Sequence, residues 1–185
     1  EKVRLLGLNY PDVNQYLSLV HESDSALEYL ISYFQNVDDP VEIVFFGDHQ
    51  PSLSSSFYPN LNGKGLSGLT EDELEDLYTI PFFIWTNYES TEVELPVTSI
   101  NYLSTLALER AGIELPAYNQ FLADMMETIP AINSRGYYSK SAGGFLHIEE
   151  ATGEEADWIR NYNILQYNNT FDKKEKSEVF FPYLK

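Results

Sequence analysis

The run Val41–Phe46 is the feature that most limits how this chain can fold. It reads Val-Glu-Ile-Val-Phe-Phe, follows the helix-breaking pair Asp39-Pro40 and stops at Gly47. A nearly continuous run of β-branched and aromatic residues of this length is typical of a strand that is buried on both faces. Such strands occur in parallel sheets that are covered by helices. The run therefore predicts an α/β fold with a mixed or mainly parallel sheet and helices on both faces.

Helical periodicity and a second apolar run support this fold class. The second run, Ile80–Trp85, is expected to place Phe82–Trp85 beside Val41–Phe46 in the same sheet. No internal repeat is present, so residues 1–185 are expected to form part of a single domain. Before and between the two strands, helices are expected over Asn14–Val20, from Ser23 or Asp24 to Asn36, and from a Thr70–Glu73 capping box to about Tyr78. After the second strand, helices are expected over Ser99–Ala111 (closed by Gly112), Ala117–Thr128 and Glu154–Tyr167. A short edge segment is expected over Val93–Val97 and a mobile segment over Ser139–Gly144.

Composition limits the partners of the chain. Its 185 residues include 29 acidic and 11 basic residues, which gives a formal net charge of −18. Such a charge repels nucleic acid and anionic lipid headgroups, so neither is expected as a broad surface partner. The absence of cysteine excludes disulfides and zinc–thiolate sites. No run of about 18 apolar residues is present, so no transmembrane segment is expected in this chain.

Asp48 and His49 directly follow the apolar strand. In open α/β sheets, ligands bind at the carboxyl ends of the strands. A carboxylate and an imidazole suit Mn²⁺, Zn²⁺ or Mg²⁺, and Gly47 permits a sharp turn that lets both side chains converge on one ion. From these residues alone a structural interpretation is also open, in which Asp48 caps the turn and His49 is a surface residue.

The sequence around this pair resembles a known family. Val44–Leu53 is similar to the segment of the lipoteichoic acid synthase family, within the alkaline phosphatase and sulfatase superfamily, where a hydrophobic strand runs into Gly-Asp-His-x-Pro. The resemblance covers most of the chain in the same order. The other similar segments are Asn14–Leu17, Asp24–Leu27, Tyr78–Tyr88, Thr98–Leu103 and Ala111–Pro116.

The resemblance implies a metal-dependent phosphoglycerol transferase. The Asp and His of the family's motif ligate a divalent metal, so Asp48 and His49 would hold Mn²⁺, with Mg²⁺ or Zn²⁺ as alternatives. The parent protein would move glycerol phosphate from a phosphatidylglycerol-like lipid headgroup to a glycolipid or polymer acceptor, and so build a lipoteichoic acid-type polymer. It would act at the extracellular face of the cell membrane, anchored by upstream helices.

The family's other site residues do not match this chain. Its threonine nucleophile, its further acidic ligand and its glycerol phosphate-binding residues lie upstream of the metal strand, and none of their motifs occurs here. The chain is therefore expected to be the C-terminal part of the catalytic domain, without a catalytic residue of its own. Alone, it should be inactive and bind Mn²⁺ only weakly, because two ligands seldom hold a divalent ion.

Two other functions stay open. A sulfatase or phosphodiesterase relative would use the same metal strand on a different ester, and a non-catalytic surface module would hold a glycan on its aromatic loops. The remaining histidines carry little functional weight. His21 is expected to be solvated at a helix end, and His147 is expected in a short strand with Glu149 or Glu150 as its surface partner.

Overall fold

The computed structural model describes residues 3–89, 91–172 and 175–182, which fall into two units, Glu1–Ser90 and Thr91–Lys185. The first unit contains α1 (Pro11–Phe34), β1 (Glu42–Phe46), α2 (Tyr58–Asn62), α3 (Glu71–Asp76) and β2 (Phe82–Thr86). The second contains α4 (Leu103–Arg110), α5 (Ala117–Met126), β3 (Ala131–Ile132), β4 (Gly136–Ser139), β5 (Gly144–His147) and α6 (Gly153–Thr170). The expected α/β class is confirmed.

The predicted parallel sheet is wrong for the described residues. β1 pairs with β2 in antiparallel register, with Val44 opposite Ile84, and β3–β4–β5 form a second antiparallel sheet. The expected adjacency of the two apolar strands is confirmed, but neither strand is fully buried, and Phe46 is 46% exposed. The apolar runs indicated which two strands pair. The direction of β2 depends on the connection between the strands, and apolar content does not encode that connection.

The two helices predicted before β1 form one continuous helix, α1. It starts at Pro11 after an extended Tyr10, and neither Ser23 nor Asp24 acts as a cap. The polar stretch 22–25 contains no glycine or proline, so it can continue a helix on a solvated face.

Some of the remaining predictions are confirmed and others are wrong. The Thr70–Glu73 capping box opens α3, and Gly112 ends α4 with a φ of 67°. Val93–Val97 is not a strand. Ser139–Gly144 forms the turn of the β4–β5 hairpin, in which Gly143 N–H donates to the Ser139 carbonyl at 2.9 Å.

The second unit holds the larger core. Tyr102, Met125, Ile129 and Tyr137 have no exposed surface, and Leu122 is 1% exposed. The buried Tyr102 hydroxyl donates to the Ile129 carbonyl at 2.6 Å, which satisfies the one polar group that this ring carries into the core.

In the first unit, the Asn87 amide joins three segments. Its oxygen accepts from the Val41 N–H at 2.8 Å, just before β1. Its nitrogen lies 3.2 Å from the Phe34 carbonyl, 3.0 Å from that of Val37 and 2.9 Å from that of Asp39. The Asn87 side chain, directly after β2, therefore holds in place the segment that connects α1 to β1.

We expect Asn87→Asp to lower the free energy of unfolding of the first unit by about 2–3 kcal/mol, because a carboxylate would face three carbonyl oxygens without donating to any of them. Urea unfolding, followed by Trp85 fluorescence in a Trp158→Phe background, measures this change. Asn36→Asp is the control, since the exposed Asn36 amide donates only to the Ser32 carbonyl and should cost much less. Equal losses in the two variants would contradict the role assigned to Asn87.

Candidate metal-binding turn

The turn after β1 is fixed by hydrogen bonds to the segment before β2. Gly47 N–H donates to the Pro81 carbonyl at 2.9 Å, and the Gln50 side-chain amide donates to the Thr79 carbonyl. A Cβ at Gly47 would lie 3.2 Å from Ile80 Cβ, so a larger residue would push the two segments apart. Asp48 and His49 therefore project from a turn that is tied at both ends.

The two predicted ligands are adjacent in space as well as in sequence. His49 Nε2 lies 3.4 Å from Asp48 Oδ2, and the two side chains are 77% and 83% exposed. The other Asp48 oxygen accepts from the His49 N–H at 2.9 Å, which holds the carboxylate over the turn. His49 Nδ1 lies 2.9 Å from the Gln50 carbonyl.

This geometry fits two ligands of one divalent ion. Two ligands at about 2.1 Å from an ion lie about 3.0 Å apart at the octahedral angle that Mn²⁺ prefers and about 3.4 Å apart at the tetrahedral angle of Zn²⁺, so the 3.4 Å between Nε2 and Oδ2 matches Zn²⁺ directly and Mn²⁺ after a small side-chain rotation. Metal-ligating histidines commonly donate their other ring N–H to a carbonyl, as Nδ1 can donate here to Gln50.

Within the described ranges, no group of three or more His, Asp or Glu side chains is arranged to hold a metal. A divalent ion held by Asp48 and His49 would therefore need further ligands, from water or from other residues. His21 is exposed, as predicted, but it lies in the middle of α1 rather than at a helix end. His147 ends β5, as predicted, and its backbone N–H donates to Glu150 at 2.8 Å.

A contact that sequence reasoning missed ties the loop after the metal turn to the start of α1. Asp12 Oδ2 accepts from the backbone N–H of Ser54 at 2.8 Å and from its hydroxyl at 2.7 Å. These hydrogen bonds lower the pKa of the Asp12 carboxyl. Tyr10 adds a ring contact with Phe57, with centroids 5.2 Å apart. The sequence indicated an ordinary loop here, because no local pattern links residues about 40 apart.

A polar cluster around Glu155 in the second unit was also missed. Its carboxylate accepts from the hydroxyls of Tyr137 at 2.8 Å, Ser139 at 2.6 Å and Ser141 at 3.0 Å. Burial raises the pKa of Glu155, but the three hydroxyl donors outweigh it and leave that pKa below the ordinary value of 4.5. Burial and the same hydrogen bond raise the pKa of Tyr137 to about 12. The cluster therefore ties α6 to the β4–β5 hairpin.

This cluster predicts an acid-sensitive second unit. Because the pKa of Glu155 is lower in the folded state, its contribution is fully present above the unfolded value of 4.5 and is lost as pH falls through the folded-state pKa. We expect Glu155→Gln to lose stability at neutral pH and to flatten the fall in urea midpoint between about pH 6 and about pH 3. Glu154→Gln, at an exposed neighbouring position, should leave the wild-type pH profile in place. A wild-type slope in Glu155→Gln would contradict the assignment.

None of the helices in the described part of the chain is long and apolar enough to cross a bilayer.

Comparison with known proteins places this geometry in context. The model of the sulfatase family matches residues 5–113, which include β1, the metal turn and β2. A protein of Rhizobium meliloti (strain 1021), provisionally described as a cyclic beta-1,2-glucan modification protein, is 25% identical over 178 residues, or 90% of this chain and 26% of that protein. The capsular polysaccharide biosynthesis protein RkpI of the same organism is 46% identical over 43 residues, or 23% of this chain and 8% of that protein.

Among solved structures, the chain is similar to the Streptococcus pyogenes phosphoglycerol transferase GacH in complex with sn-glycerol-1-phosphate. The TM-score is 0.66 at 18% identity, over 98% of this chain and 42% of that chain. At this identity the likeness shows a shared fold. The chain spans about a quarter of the length of the glucan modification protein and less than half of the solved transferase.

Proposed function

The chain belongs to the sulfatase family, whose enzymes typically use a divalent metal, and from that premise we propose that it is part of the catalytic domain of a phosphoglycerol transferase. The donor is a phosphatidylglycerol-like lipid, and the acceptor is a hydroxyl group of a glycan outside the cytoplasm. Asp48 and His49 hold the divalent ion, for which Mn²⁺ is the first candidate.

The geometry of the metal turn is the observation that carries this proposal. Asp48 and His49 present an oxygen and a nitrogen 3.4 Å apart at the end of an apolar strand, inside the segment that matches the family. The Gln50 carbonyl lies 2.9 Å from His49 Nδ1, which is the kind of contact that commonly orients a metal-ligating histidine.

Two comparisons favour the reaction and the acceptor. The fold likeness to a phosphoglycerol transferase extends over 98% of the chain, which supports phosphoglycerol transfer. Both curated relatives are described by their roles with polysaccharides, and one of them aligns with 90% of the chain, which supports a glucan acceptor. A lipoteichoic acid-type polymer, the acceptor implied by the sequence resemblance, is the second candidate.

A divalent ion in this site would offset negative charge on the phosphoryl oxygens and on the attacking alkoxide. Asp48 contributes one negative charge and one oxygen ligand to that site. His49 would contribute Nε2, with its ring oriented by the contact between Nδ1 and the Gln50 carbonyl at 2.9 Å. The nucleophile, a threonine by resemblance, lies outside these residues. Its hydroxyl oxygen bonds to phosphorus and displaces diacylglycerol, which takes up the threonine proton. The acceptor hydroxyl then bonds to the same phosphorus and releases the threonine, which takes up the acceptor's proton.

The test uses the full-length protein with Mn²⁺, phosphatidylglycerol labelled in its headgroup glycerol, and either β-1,2-glucan or poly(glycerol phosphate). We expect label to enter the glucan and diacylglycerol to be released in equal amount. Label transferred only to poly(glycerol phosphate) would favour the second acceptor. Release of free glycerol phosphate without an acceptor product would favour a phosphodiesterase, and no release of label would favour a non-catalytic glycan-binding module.

A further inference from the structure

A shallow groove in the second unit has no part in the metal turn. It encloses about 560 Å³ and lies between α5 and α6. Three aromatic rings, those of Tyr118, Tyr167 and Phe171, contribute to its wall. The rest of the wall consists of the amides of Asn163, Gln166 and Asn169 and the hydroxyl of Thr170.

The regular spacing of α6 builds one side of this groove. Asn163, Gln166, Tyr167 and Thr170 stand at positions i, i+3, i+4 and i+7 of the helix, so they share one face. From Asn163 to Phe171 the helix rises about 12 Å, which matches a short oligosaccharide in length. The face is therefore a continuous strip of amide, hydroxyl and ring groups.

The rings of the strip are open to solvent. Tyr167 is 64% exposed and Phe171 is 67% exposed, and their centroids lie 5.4 Å apart with 38° between the ring planes. Aromatic pairs at i, i+4 also stabilise helices, and the Gln166 amide bonds to the Tyr162 hydroxyl, but neither contact accounts for the amides of Asn163 and Asn169. Rings beside groups that both donate and accept hydrogen bonds are the composition of a small-molecule site with a few orienting polar groups.

The groove carries no formal charge among its described lining residues, although the chain has a net charge of −18. The described lining offers no Lys or Arg to pair with phosphate, so it lacks the partners that a polyanion would need. A neutral ligand with many hydroxyl groups and apolar C–H faces fits both observations. Sugar hydroxyls can pair with the amides of the strip, and the C–H faces of the sugar rings can lie on Tyr167 and Phe171.

We infer that this groove is a binding site for a neutral oligosaccharide, the glycan acceptor of the proposed reaction. The choice of a glucan as occupant rests on the proposed function, whereas the site itself rests on its lining. The groove should bind the glucan acceptor and exclude poly(glycerol phosphate), which is anionic.

The test is an NMR titration of the ¹⁵N-labelled 185-residue chain with a linear β-1,2-glucan oligosaccharide, in the presence of a metal chelator. We expect the side-chain amide signals of Asn163, Gln166 and Asn169 to shift together, with a dissociation constant of about 1 mM or tighter. Maltoheptaose provides a second neutral probe, and poly(glycerol phosphate) should leave these signals unchanged. Because no metal, donor lipid or turnover is involved, failure here is distinguishable from failure of the proposed transfer reaction.

Variants decide whether the groove is responsible. Tyr167→Ala should weaken binding by about tenfold or more, and Gln166→Ala provides a second variant if the first lowers helix content. Tyr29→Ala is the matched control, since Tyr29 is a 76% exposed tyrosine on α1. Absence of binding by both neutral probes, shifts that cluster elsewhere, or unchanged affinity in both groove variants would overturn the inference. Shifts that follow protein concentration rather than sugar would overturn it in favour of self-association.

Discussion

Asp48→Ala and His49→Ala should each reduce phosphoglycerol transfer by the full-length protein to less than about one-hundredth of the wild-type rate. Removal of either side chain takes away a first ligand of the proposed ion, and the charge that develops on phosphate and nucleophile then lacks its main electrostatic partner. Added Mn²⁺ should restore little activity. Each variant keeps only one of the two proposed ligands, and no group of three or more candidate ligands occurs among the described residues to replace the lost one.

The same variants should fold normally. Both side chains are more than three-quarters exposed, so their removal loses little packing, and melting temperatures should stay within about 2 °C of wild type. His21→Ala and Asp24→Ala, at exposed positions of α1, are the matched controls and should keep full activity. Near-normal transfer in either site variant would refute the metal assignment. Unfolding of both would instead support the structural interpretation of this pair.

Gly136→Ala should produce the largest loss of stability, about 3 kcal/mol or more in the second unit. Gly136 of β4 pairs with His147 of β5. A Cβ at this position would overlap the Leu146 carbonyl oxygen and lie 2.7 Å from Phe145 Cε1. Backbone must move to relieve such an overlap, and the neighbouring Tyr137 would be displaced from the core.

Gly144→Ala is the control within the same hairpin. Gly144 faces Ser139 across the β4–β5 ladder, and a Cβ there would meet no atom within 4 Å. Its substitution should change the free energy of unfolding by less than about 1 kcal/mol. Urea unfolding followed by Trp158 fluorescence in a Trp85→Phe background measures both variants. Equal losses would show that general glycine effects, rather than the contact with β5, determine stability here.

The features that sequence predicted correctly depend on local chemistry. The Thr70–Glu73 capping box involves two side chains three residues apart, and Gly112 adopts the positive φ that ends α4. The apolar runs identified β1 and β2 as neighbours. The position of Asp48 and His49 on a turn directly after a strand follows from the Phe46-Gly47 boundary.

The features that sequence did not predict depend on contacts between distant residues. Strand direction in β1–β2 follows from how a 35-residue connection returns, and apolar content is the same for either direction. The Glu155 cluster joins a helix to a hairpin, with partners 14 to 18 residues away. The face of α6 that lines the groove has no hydrophobic pattern, because it consists of amides and exposed rings. Periodicity finds faces that are buried and does not distinguish one solvated face from another.

Anomalous diffraction at the manganese edge from crystals of the full-length protein, grown with Mn²⁺, locates the proposed ion. We expect one strong peak at about 2.0–2.2 Å from an Asp48 carboxylate oxygen and from His49 Nε2, with His49 Nδ1 still bonded to the Gln50 carbonyl. Other residues or water should supply the remaining ligands. A manganese peak held entirely by other residues, with Asp48 and His49 left in solvent, would contradict the account.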